Sequence, residues 1–199
     1  MRDPVALKQL LEQRSDIWRA GESAGGQQQP RLSTEDARLD ARLGGGWPMG
    51  QLTELLLDAP GIGEISLLAP CLAQLTQQQR IIALVAPPYI PYAPALVAAG
   101  LALERVLVIR PRAAEQALWA CEQILRDGSV AAALFWPERV TALQLRRLQL
   151  AAAQGACCGF IYRHSRWAAS ASTAALRLRL YPDQPCRPRI EVLKNRGVA

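Results

Sequence analysis

Apolar and polar positions follow two periods along this chain. Short, nearly continuous apolar runs occur at residues 51–57 (QLTELLL), 80–86 (RIIALVA), 105–110 (RVLVIR), 130–136 (VAAALFW) and 157–162 (CCGFIY). Between them lie stretches with apolar residues at helical spacing, over 61–78, 92–100, 113–126 and 139–154. Pro87-Pro88, Pro111 and Pro137 close three of the strand-like runs, and Gly100, Gly128 and Gly155 close helical ones. Buried strands alternating with amphipathic helices predict a mostly parallel sheet with helices on both faces. After residue 170 the period changes: Leu176-Arg177-Leu178-Arg179-Leu180 alternates strictly, and Arg189-Ile190-Glu191-Val192-Leu193 nearly so, with Asp183-Gln184-Pro185 between. That pattern predicts an antiparallel C-terminal hairpin with one polar face.

The first residues read differently. Asp3-Pro4 is a cap and first-turn pair, and Leu7, Leu10, Leu11, Ile17 and Trp18 recur at helical spacing, so residues 4–19 are expected to be a helix. Residues 20–33 are rich in Gly and Gln and read as a flexible linker. The expected organisation is a helix plus linker over 1–33 and a core domain over 34–199. Leu10, Leu11, Ile17 and Trp18 form a candidate protein-docking stripe.

Composition narrows the classes. Half of the residues are apolar, so a full core needs no staples. The charge of +6, nearly all of it arginine, is compatible with contact to DNA or to an acidic partner without requiring either. The 5 cysteines match no zinc spacing, and with His164 as the sole histidine no metal site is expected. No apolar run is long enough to cross a membrane, and the charged start is no secretory signal. Reduced thiols in a cytoplasmic protein are the expectation.

Strand, glycine-containing turn and helix at 51–78 is the arrangement in which P-loop proteins bind phosphate. The entry Leu43 to Glu54, the stretch Glu115-Gln116-Ala117-Leu118 with Cys121-Glu122 and Gly128-Ser129-Val130, and the end Leu193-Lys194-Asn195-Arg196 resemble RecA recombinases. The resemblance implies a RecA-like P-loop-type core. Its ATP chemistry is missing. A Walker A loop needs a lysine for the phosphates and a hydroxyl for magnesium; the turn holds Asp58, Gly61, Gly63, Glu64 and Ile65 instead. Trp136-Pro137 stands where the Walker B carboxylate should end its strand, and Pro87-Pro88 where the catalytic glutamate should follow. Asp58, Gly61, Gly63, Glu64, Ile65, Pro88 and Trp136 therefore form a degenerate nucleotide site, with no cofactor, no catalytic residue and no tight ATP binding expected.

The segments GGGWPMGQLTELL, APGIGEISLLAP, VAPPYIPYAPALVAAGL, RRLQLAAAQGA and LRLRLY…RIEVLKNRG resemble the ImuA family, which is grouped with the cell-division inhibitor SulA. That resemblance implies a non-catalytic accessory protein of SOS mutagenesis. It would support error-prone translesion synthesis by contacting an ImuB-like polymerase-related protein, an error-prone polymerase and RecA. The alternative is a SulA-like inhibitor of cell division that binds FtsZ.

Other groups carry less chemistry. His164 has no GxSxG elbow and no nearby acid for a triad. Arg163, Arg166 and Trp167 are candidates for weak DNA contact by phosphate pairing and base stacking. Tyr89 and Tyr92 follow a central strand, as Trp136 does, and are candidates for protein docking at the strand ends. Arg146-Arg147 reads as a solvated helix face.

Overall fold

The computed structural model describes residues 30–184 and 187–196. The expected helix over 4–19, with its Leu10, Leu11, Ile17 and Trp18 stripe, lies outside the described residues. A compact unit begins at Arg31. Arg31–Leu32 (β1) pairs antiparallel with Trp47–Pro48 (β2), so the end of the expected linker is an ordered strand. The Arg31 guanidinium holds it there, donating to the carbonyls of Leu43 at 2.9 Å and Gly46 at 3.0 Å. Between them Ala37–Leu43 forms α1, a helix that the apolar periodicity alone did not mark. Its signal is local: the Asp36 carboxylate caps the backbone N–H groups of Arg38 and Leu39, and Gly44 closes the helix at φ 77°.

The main sheet has seven strands in the order β5-β4-β6-β7-β3-β8-β9. They are Leu52–Leu57 (β3), Ile81–Val85 (β4), Val106–Ile109 (β5), Val130–Phe135 (β6), Cys158–His164 (β7), Leu176–Gln184 (β8) and Arg187–Asn195 (β9). All neighbours pair in parallel except β8 with β9, the expected antiparallel hairpin. The helices after α1 are Ala69–Gln77 (α2), Ala93–Ala98 (α3), Ala114–Asp127 (α4) and Ala142–Gly155 (α5). On one face Leu43, Trp47, Leu72, Phe160, Tyr162 and Leu178 form a core beneath α1 and α2. On the other, Ala83, Phe135, Ile161, Cys121 and Leu148 pack beneath α4 and α5. Small side chains set the spacing of that second layer. A Cβ on Gly155 would meet the Leu125 carbonyl oxygen at 2.2 Å, so only glycine lets the end of α5 rest on α4.

Two expectations change. The helix expected over 61–78 begins only at Ala69; residues 61–68 are turns. Gly61 and Gly63 at φ 97° and 94°, and Pro70 in the first helical turn, explain the delay. No helix therefore starts at the glycine turn, and a RecA-type phosphate loop with its helix is absent from the described residues. The second change concerns β5, which reads as a buried run but lies at the sheet edge with Leu107 and Val108 half exposed. What the fold establishes is a mixed α/β architecture with a mostly parallel sheet and a C-terminal antiparallel hairpin.

Cys71, Cys121, Cys157 and Cys158 are buried and free, two on each side of the sheet; Cys186 lies outside the described residues. Burial raises all four thiols, that of Cys158 to about 12. The folded state thus keeps protons that an unfolded thiol loses near pH 8.5–9. This stabilisation is complete below that pH and is lost as pH rises from there through the folded-state values. Urea midpoints measured at pH 8 and pH 10 are expected to fall at the higher pH. In the native protein these four thiols are expected to resist thiol-reactive dye until denaturant is added.

Candidate functional site

Strand β3 is apolar except at Thr53 and Glu54, both buried. Glu54 has no exposed surface, and a carboxylate buried that far needs partners. It has two. Arg163 of β7 donates to Oε1 at 2.8 Å and Arg177 of β8 donates to Oε2 at 2.6 Å. Register makes this possible: Arg177 lies directly opposite Glu54, and Arg163 faces Leu56, the next residue of the same strand face. Arg177 has donors to spare, and they bind the carbonyls of Trp167 at 2.8 Å, Ala168 at 3.1 Å and Ser170 at 2.9 Å. The Arg163 guanidinium lies 5.0 Å from the Trp167 ring centroid. One carboxylate thereby fixes three strands and the segment after β7.

The glycine turn follows β3 directly. Glu64 is buried, and both its carboxylate oxygens accept from the Gly61 N–H, at 2.9 and 3.0 Å. A phosphate-binding turn presents such an N–H to a ligand; here the chain's own carboxylate occupies it. Asp58, the other acid of the turn, accepts a hydrogen bond from the Ser165 hydroxyl. The turn is therefore tied to the segment that Arg177 holds, and like charge disfavours a polyphosphate there.

Beside this turn runs a groove of about 300 Å³. Gly61, Gly63, Glu64 and Ile65 form one wall, and Pro88, Tyr89, Ile90 and Tyr92 the other, with Leu84 and Trp136 also lining it. The Trp136 ring stacks on Tyr162 with centroids 4.3 Å apart and planes 4° from parallel. Burial pushes the Tyr162 hydroxyl well above its ordinary value, with the Glu64 charge adding to the rise. Tyr89, Ile90 and Tyr92 are 67–76% exposed and neighbours in sequence, so they form one apolar ridge on the groove's rim.

The structure thus gathers Gly61, Gly63, Glu64, Ile65, Pro88, Trp136, Tyr89 and Tyr92 around one groove, with Asp58 at the start of the turn. Arg163, expected on the surface as a DNA contact, is 9% exposed and committed to Glu54, so it is withdrawn from that role. Arg166 and Trp167 remain at the surface. The buried pair Glu54 and Arg177 was not marked by the sequence, whereas the Tyr89-Ile90-Pro91-Tyr92 stretch was expected beside Trp136 at the strand ends. The signal for Glu54 was a lone acid inside an apolar strand. For Arg177 it was an arginine in a strictly alternating one.

No group of three or more metal-ligating side chains exists among the described residues. None of their helices is long and apolar enough to cross a membrane.

A mostly parallel α/β sheet whose glycine turn is closed by its own glutamate defines a mixed α/β protein whose turn offers no cation to a phosphate. The model of the family described as cell division inhibitor SulA matches residues 50–159, more than half of the chain, and the chain belongs to that family. It is 34% identical over 95 residues to the cell division inhibitor SulA of Edwardsiella piscicida, across 48% of this chain and 56% of that protein. It therefore spans little more than half the length of that relative. The crystal structure of SulA from Pseudomonas aeruginosa matches with a TM-score of 0.48 at 29% identity, over 56% of this chain and 97% of that one. The family match overturns the ImuA resemblance. With it fall the translesion-synthesis role and the ImuB-like, error-prone polymerase and RecA partners. Residues 50–159, which hold the turn and the groove, match SulA.

Three measurements test this site. Glu54→Gln leaves Arg163 and Arg177 without their shared anion and is expected to cost about 3–5 kcal/mol in urea unfolding. Proteolysis should then open first in the segment 165–175. Magnesium-ATP is expected to leave the melting temperature of the purified chain unchanged, because Glu64 holds the Gly61 N–H.

Proposed function

We propose that this protein is a non-catalytic, cytoplasmic inhibitor of cell division, induced in the SOS response, that acts by binding FtsZ through the aromatic groove. Membership of the family of cell division inhibitors is the observation that carries the proposal. The groove supports it in physical terms. Tyr89, Ile90 and Tyr92 offer a compact apolar ridge beside a turn that has no cation for a nucleotide. The finer reading of the core, as a RecA-like fold that has lost ATP handling, belongs to the same proposal. It is supported by the position of the Gly61–Glu64 turn at the C-terminal end of β3, where sheets of this kind bind ligands.

Induced expression is expected to give filamentous cells, and the purified chain is expected to suppress FtsZ polymerisation followed by light scattering. Tyr89→Ser combined with Tyr92→Ser should weaken that suppression by about tenfold or more. The melting temperature should not change, since both side chains are exposed. Undiminished suppression by the double variant would remove the groove from the proposal; no suppression by the unaltered chain would remove the function.

A further inference from the structure

Three glutamates are buried among the described residues: Glu54, Glu64 and Glu122. Two of them hold a pair of arginines each. Arg163 and Arg177 meet Glu54, and Arg126 and Arg147 meet Glu122. Glu64 is 5% exposed and has no ion pair among the described residues. Its two oxygens share a single donor, the Gly61 N–H, so each keeps acceptor capacity. One N–H offsets little of what it costs to take a carboxylate out of water. The missing cation is not supplied by the surroundings either. Glu64 lines the aromatic groove, and no lysine, arginine or histidine lines it as well. Asp58, at the start of the same turn, is a second acid.

We infer that the groove is a receptor for one arginine side chain of the partner, with Glu64 as its counter-ion and Tyr89, Tyr92 and Trp136 as its walls. The inference rests on the reading that FtsZ binds through this groove, and it names the group that the groove receives. A guanidinium fits on three counts: it is weakly hydrated, it stacks on aromatic rings, and its paired N–H donors match two carboxylate oxygens. The volume of about 300 Å³ is at the small end of ligand sites and suits one long side chain. A purely apolar side chain is the wrong occupant, because it would cover Glu64 and leave the charge buried without a cation. An acidic one would meet like charge.

The test uses the full chain labelled with ¹⁵N and two small probes of the same shape, ethylguanidinium and neutral N-ethylurea. Ethylguanidinium is expected to shift the Gly61 and Gly63 amide signals and the Trp136 indole signal saturably, and N-ethylurea to leave them in place. Glu64→Gln keeps an oxygen for the Gly61 N–H and removes the charge, and should abolish the response. Tyr92→Leu keeps apolar area without the ring; it should weaken the response severalfold, and it serves as the second variant if Glu64→Gln lowers the melting temperature. With FtsZ as the probe, Glu64→Gln should weaken binding about tenfold or more. Alanine at one of the arginines of FtsZ should cost the unaltered chain a similar factor and the Glu64→Gln variant much less. No saturable shift, an equal response to N-ethylurea, a response that survives Glu64→Gln, or FtsZ binding unweakened by that change would each overturn the inference. If the unaltered chain does not bind FtsZ, the proposed function fails, and the comparison of the two small probes still decides what the groove receives.

Discussion

Glu54 is a full negative charge with no contact to water, placed in the middle of a strand. Such a group is tolerable only if both oxygens are paired with cations held in fixed positions. Arg163 and Arg177 meet that requirement from two different strands, which links the parallel part of the sheet to the C-terminal hairpin. The remaining donors of Arg177 then fold the segment after β7 back over the sheet, and Ser165 in that segment reaches Asp58 in the glycine turn. The order of dependence runs from one buried carboxylate to the strand ends, and from the strand ends to the groove.

At the strand ends the chain uses chemistry that phosphate-binding folds use, but points it inward. A glycine at φ 97° offers its N–H, and the acceptor is a glutamate three residues later in the same turn. The Gly61 N–H is satisfied within the turn, and the exposed surface beside it is aromatic and aliphatic. The opposite side of the molecule follows another rule, in which leucines and a tryptophan stand among arginines on α4 and α5.

Much of the fold was legible from residue order. Continuous apolar runs closed by proline located β4, β5 and β6, and strict alternation located β8, because burial on two faces and burial on one face leave different periods. The parts that failed have identifiable reasons. Residues 61–78 have helical spacing throughout, yet positive-φ glycines keep the first half in turns. Residues 31–33 look like linker, yet the Arg31 guanidinium binds two carbonyls contributed by a later loop. β5 has a core composition but an edge position, which composition does not encode. The resemblance to ImuA is overturned by the SulA match over 50–159, and likeness of short segments carries a fold more readily than the function grafted on it.

The sequence by itself determined the class of architecture, the missing lysine and hydroxyl of the turn, and the positions of Tyr89, Tyr92 and Trp136 after central strands. Those are properties of local order and of residue chemistry. Only the tertiary structure decided that Arg163 is buried and paired with Glu54, since that depends on what the sheet places beside it. It also decided that Glu64 closes the turn, because which acceptor satisfies an N–H depends on backbone geometry that spacing does not contain.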